Sequence, residues 1–183
     1  MKYIAVIGVS LAVSLFSLPG FAGDVKEMYA QHGFFEEKGK HLATNYGVQN
    51  CYPVNSRFEV ELDKGAFSDK IVATSVDTGQ RIVIKNTEKY TQIEIDALMQ
   101  RMFSEKKKSV GQHSAAVQNA INNCRIIKGM TKNEVLIARG YPPAHATASL
   151  DGDTWQYWFR RLENGGVVFT NGVVSDITGE IQR

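Results

Sequence analysis

Cysteine, proline and net charge are all scarce in this chain. Of 183 residues two are cysteine and four proline, and the formal net charge is only +2. So small a basic surplus excludes the electrostatic footprint of a nucleic-acid binder. The four histidines, His32, His41, His113 and His145, stand far apart, and none lies at ligand spacing from another histidine or a cysteine. No metal site and no cofactor is therefore expected. Nucleophile elbow, Walker loop and Rossmann glycine pattern are also missing. Cys51 or Cys124 with His145 as base is the one catalytic arrangement to weigh. Cys124 falls on an apolar helical face and Cys51 has no catalytic surround, so the chain reads as a non-enzyme. With 43% hydrophobic and 22% charged residues it is neither a disordered tail nor a coiled-coil rod.

A second long apolar run is absent too. The first, Ile4 to Leu18, follows the positive Lys2 and ends in Pro19-Gly20-Phe21-Ala22, with small residues before a cut after Ala22. This pattern predicts a secretory signal peptide over 1–22. The run is short for the ~20 residues of a spanning helix. No cysteine lies at the cut to carry lipid. Roughly 160 residues would remain, enough for one ordinary domain or two small ones. An oxidising compartment allows Cys51 and Cys124 to pair, and two separate buried thiols are the alternative.

Beyond the leader the patterning predicts an α+β chain in two parts. Residues 23–108 read as a small antiparallel β-barrel, SH3-like in size, with a trailing helix. Asp24 to His32 suggests a short helix or a frayed end. Arg57–Leu62 alternates polar and apolar without a fault, and Lys70–Thr74 and Gln80–Ile84 read as two further strands. Glu88 to Phe103 switches to helical spacing, with Ile93, Ala97, Leu98 and Met102 on one face. The lysine run ending at Lys108 reads as a solvated connector.

Residues 109–183 read as two helices followed by three strands. Gln112 to Ile127 is the first helix. Thr131-Lys132-Asn133-Glu134 is a capping box that starts the second, with Met130 and Val135 placed for a hydrophobic staple. Gly140 and Pro142-Pro143 stop it. Strands follow at Thr154–Arg160, Val167–Thr170 and Val173–Ile177. Asn164-Gly165-Gly166 is the expected first turn and Asn171-Gly172 a tight hairpin.

Four residues stand out as contact candidates. Trp155, Tyr157 and Phe159 share one face of their strand and suit the core. Trp158 and Arg160 fall on the other face, and an aromatic beside an arginine is typical of protein interfaces. Burial of Trp158 under a neighbouring element is the competing account. Tyr141 and His145 flank two prolines that stiffen their loop, as contacts or as a plain connector.

Several of these segments together resemble the BamE (SmpA/OmlA) family of small envelope proteins. They are Gly129-Met130-Thr131-Lys132-Asn133-Glu134-Val135, Gly140-Tyr141-Pro142, Asp153-Thr154-Trp155-Gln156-Tyr157-Trp158 and Asn171-Gly172-Val173-Val174. The resemblance covers roughly residues 112–178 and implies two helices on a three-stranded antiparallel sheet. It also implies a role in outer-membrane protein assembly, with envelope or outer-membrane proteins as partners and anionic lipid as a further contact. The chain departs from that family in lacking its lipid-bearing cysteine and in carrying the extra β-rich part. Ala43-Thr44-Asn45-Tyr46-Gly47 with Pro53-Val54-Asn55 is similar to a module of uncharacterised two-domain envelope proteins. The β-lactamase-inhibitor-protein group is similar in the same helix–helix–sheet unit. That similarity implies inhibition of an extracytoplasmic enzyme through Trp155, Tyr157 and Trp158. The leading expectation is a periplasmic binding or scaffold protein, with enzyme inhibition as the alternative.

Overall fold

The computed structural model describes residues 25–44, 49–65, 68–160 and 163–179, without the side chains of residues 159, 160 and 163. The leader expected over 1–22 and Asn45, Tyr46 and Gly47 lie outside the described residues. The elements run β1 (Lys26–Ala30), β2 (Phe34–Phe35), β3 (Lys40–Leu42), β4 (Cys51–Tyr52), β5 (Arg57–Lys64), β6 (Asp69–Ser75) and β7 (Arg81–Lys85). Then come α1 (Glu88–Thr91), α2 (Ile95–Met102), β8 (Phe103–Ser104), α3 (Ala115–Asn122) and α4 (Lys132–Arg139). β9 (Thr154–Arg160), β10 (Glu163–Thr170) and β11 (Val173–Gly179) complete the series. Over the described residues the protein is mixed α+β, with a curled six-stranded sheet and four short helices. Among the described residues no helix is long and apolar enough to cross a membrane.

The six-stranded sheet has the order β3-β7-β6-β5-β1-β8. Strict alternation does its work in β5, where Phe58 and Val60 are fully buried and Glu59 faces out. Ile71, Ala73, Ile82 and Ile84 add the same face of β6 and β7, and Ile95, Leu98 and Met102 of α2 cover it. The expected all-antiparallel barrel is corrected at one edge, because β3 pairs with β7 in parallel. A second correction concerns 26–30, which form a strand between β5 and β8. Helical spacing in so short a segment is outweighed by two flanking ladders, which satisfy its backbone groups from both sides.

The helix expected over Glu88–Phe103 is two helices. Gln92 adopts a left-handed φ of 59°. The Thr91 hydroxyl donates to Asn86 Oδ1 at 2.7 Å, and Asn86 Nδ2 donates to the Ile93 carbonyl at 2.7 Å. Such local side-chain bonds compete with helix continuation. Ala97, placed on the inward face by sequence, is exposed.

A second core gathers α3, α4 and the sheet β11-β10-β9. Trp155, Tyr157, Val167, Ile121 and Val135 are fully buried in it. The first of these helices is shorter than expected. It starts at Ser114, whose hydroxyl accepts from the Val117 N–H, and it is over before Cys124, which takes a φ of 52°. Ile126 still enters the core from the loop. The capping box forms as the sequence reads. Thr131 Oγ1 accepts from the Glu134 N–H, and Glu134 Oε2 accepts from the Thr131 N–H at 2.7 Å. Met130 and Val135 are both fully buried beside it.

Asn164, Gly165 and Gly166, expected as a turn, lie inside β10 opposite Trp158, Tyr157 and Gln156. The glycines answer crowding here. A Cβ on Gly166 would stand 2.8 Å from Thr178 Oγ1.

The two cores meet along Gly33 and α4. The Gly33 N–H donates to the Ile137 carbonyl at 2.9 Å. A Cβ at this position would lie 2.1 Å from the Ala138 oxygen and 3.0 Å from Cys124 Sγ, so only glycine lets the backbones approach. The Arg139 guanidinium, from α4, lies 4.0 Å from the centroid of the Phe35 ring in β2. Cys51 and Cys124 are joined by a disulfide at the same seam, 73 residues apart in sequence and 6.2 Å apart at Cα.

Candidate functional site

Where β3 ends, α1 begins and β9 passes, a cavity of about 450 Å³ opens between the cores. Leu42, Ala43, Thr44, Thr87, Tyr90, His145 and Trp158 line it. Its aromatic wall is continuous. The His145 ring lies 4.6 Å from that of Tyr90 and 5.9 Å from that of Trp158, each pair tilted. The His145 N–H donates to the Tyr90 carbonyl at 3.3 Å, which fixes the proline-stiffened loop against α1. Tyr90 is 40% exposed and Leu42 37% exposed, so apolar surface faces solvent at the rim.

Trp158 stands on the β9 face opposite the fully buried Trp155 and Tyr157, as alternation requires. It is half-buried. Its indole N–H is enclosed and, among the described residues, has no hydrogen-bond partner. An enclosed donor left unmet costs about 1–3 kcal/mol. The neighbouring aromatic contacts hold the ring in place despite that cost.

The structure therefore brings Trp158 and His145 together and places Tyr141 elsewhere. Tyr141 packs under the Arg101 guanidinium, 4.3 Å from its ring centroid, with the His32 ring edge-on at 5.8 Å. Arg160 ends β9, and its side chain is outside the described residues. Tyr90 and Leu42 join the site without having been singled out by sequence. Both are large apolar residues whose exposure shows only in the structure.

His145 is part of this wall, and the other histidines and Glu134 lie outside the cavity's lining. Glu134 accepts from His113 Nδ1 at 2.8 Å. Burial pushes the Glu134 carboxyl up, but the Thr131 backbone and hydroxyl and His113 together hold it below the usual range. Both ends of that pair are thus tied to the cap of α4. His32 and His41 are buried, and each points Nδ1 at a backbone carbonyl, Gly33 at 3.0 Å and Phe35 at 2.8 Å. A carbonyl only accepts, so both rings carry their proton on Nδ1 when neutral. Burial lowers each from 6.5 to about 4. Both cysteines are bonded to each other, so neither offers a thiolate. Among the described residues no three His, Cys, Asp or Glu side chains gather where they could hold a metal ion.

Of the three aromatics that would form an inhibitor-type sheet face, Trp155 and Tyr157 are fully buried and Trp158 alone reaches an opening. Comparison with protein-family models, with curated proteins and with solved structures finds no match to this chain.

Proposed function

We propose that this is a non-catalytic binding protein of the bacterial envelope, exported and then engaging an envelope or outer-membrane protein at the Tyr90–His145–Trp158 cavity. The observation that carries the reading is the cavity itself. Aromatic side chains from α1, β9 and the loop before β9 meet around an apolar opening, the composition of a recognition hot spot rather than of a proton-transfer site. The order α3, α4, β9, β10, β11 supports a BamE-like reading of the second half, and the β-rich first half supports a two-domain envelope protein. The signal-like leader supports the periplasm as its compartment. Scaffold function is favoured over enzyme inhibition because two of the three inhibitor-face aromatics are core.

Photo-crosslinking in cells tests this. A crosslinker at position 90 or 145 is expected to trap one envelope protein, and one at the remote exposed position 59 is not. Trp158→Ala in the same chain is expected to abolish the adduct while leaving the melting temperature nearly unchanged. Equal labelling from all three positions would remove the cavity as the docking site. Intact-mass measurement of the exported protein is expected to show a chain starting at Gly23.

A further inference from the structure

We propose that a second crevice, between Arg101, Lys108 and the first turns of α4, binds a dianionic phosphate-type group, either inorganic phosphate or the terminal phosphoryl of a monoester. Gln31, His32, Asn133 and Tyr141 complete its polar lining, and its volume is about 40 Å³. That is room for one small ion or group and little else.

The charges carry the argument. Among the described residues neither Arg101 nor Lys108 has a carboxylate within salt-bridge distance. The nearby acids are engaged elsewhere, Glu105 with Lys26 at 3.8 Å and Glu134 with His113 at 2.8 Å. Both cations nevertheless act on one buried neutral group, since each adds to burial in holding the His32 imidazole down. Two uncompensated positive charges converging on a crevice with no acid in its lining make a positive potential there. Their sum matches a dianion. A carboxylate or a phosphodiester, each carrying a single charge, leaves one cation unmet.

The cations are also held in place. The Arg101 guanidinium carbon lies 4.3 Å from the Tyr141 ring centroid, a cation–π contact that holds the charge beside the crevice. The Lys108 N–H donates to Asn55 Oδ1 at 2.7 Å, and the Lys108 carbonyl accepts from Asn55 Nδ2 at 2.9 Å. Gln31 Nε2 donates to the Lys106 carbonyl at 2.9 Å. The lysine run expected as a solvated connector is therefore pinned at two points, and its last member is half-buried in the crevice. Arg101 and His32 belong to the first half of the chain, Asn133 and Tyr141 to the second. A bound dianion would bridge them.

The test is titration of the full chain with inorganic phosphate near pH 7.5, where the dianion predominates. Calorimetry is run at constant ionic strength, and the His32 ring is followed by NMR. Saturable one-to-one binding is expected, together with a shift of the His32 ring resonances as phosphate fills the crevice. Lys108→Gln keeps the backbone bonds to Asn55 and is expected to weaken binding roughly tenfold or more. Lys107→Gln is expected to leave it unchanged. Glycerol 3-phosphate binding as well as phosphate identifies a monoester ligand, and its exclusion identifies the free ion. Acetate and dimethyl phosphate are expected to bind at least roughly tenfold more weakly. Phosphate acting no differently from chloride would overturn the proposal. So would Lys108→Gln retaining full affinity, or dimethyl phosphate binding as tightly as phosphate.

Discussion

The two cores are held together in different ways. The first is aromatic and non-local. Phe34 packs on Phe58, Phe103, Tyr52 and His41 at ring separations of 5.1 to 6.1 Å, and β1 must wait for β8, more than 70 residues later, to complete its pairing. The second is made mostly of consecutive elements, with α3 against α4 and β10 between β9 and β11, and it takes Val54 from the first half. Local contacts form at lower loop-closure cost than distant ones. The second core therefore closes mainly through short loops, and the first depends on closing a long one.

Acid is expected to separate the two most strongly. His32 and His41 both belong to the first half, and each has a folded value of about 4 against 6.5 in the open chain. The unfolded chain thus binds more protons between those limits. The stability they contribute is complete above pH 6.5 and is lost as pH falls towards 4, about 3 kcal/mol for each. Denaturant midpoints measured across that window should fall steeply, and His41→Gln should flatten the slope by about half. A pH-independent midpoint would show that both rings are solvated.

Next in size is the covalent tie. Replacing Cys124 by serine opens a 73-residue span and should cost about 4 kcal/mol in chain-entropy terms. If the cores are coupled, that loss appears as one transition moved to lower urea. If they are independent, two transitions separate. Gly33→Ala attacks the same seam through sterics, and about 3 kcal/mol is expected from forcing a Cβ against the Ala138 oxygen. Thr131→Ala removes the cap of α4 alone, with a loss of about 1 kcal/mol seen in thermal melts, confined to the second core's signals. Trp158→Ala should be the mildest. A half-buried ring with an unmet N–H contributes little to folding, and its effect should appear in partner capture instead.

This contrast also explains what patterning could reveal. The second half was legible because its signals are short-range. The capping box, the Met130–Val135 staple, Asn171-Gly172 and the alternation through Trp155 each act within a few residues. The helix expected to reach Ile127 stops earlier, and the Asn164-Gly165-Gly166 turn failed because Gly166 answers to Thr178, a cross-strand neighbour invisible in local sequence. In the first half the strands β5, β6 and β7 were readable for the same local reason. The parallel β3 edge and the strand character of 26–30 depend on partners far along the chain, whereas the helix break at Gln92 is set by the bonds Asn86 makes with Thr91 and Ile93. The candidate site shows the same division. Trp158 and His145 could be named from their own surroundings. That Tyr90 joins them, and that Tyr141 stacks instead with Arg101, is decided by how the two cores dock.

The Cys51–Cys124 link sets an order of events for a polypeptide that leaves the ribosome amino end first. Until the segment around Cys124 emerges, Cys51 has no intramolecular thiol to meet, because the chain holds no third cysteine. Throughout that interval the sulfur beside Tyr52 can be captured by another molecule. The early half must then persist as an unsealed nascent species whose closure is timed by the appearance of the late half.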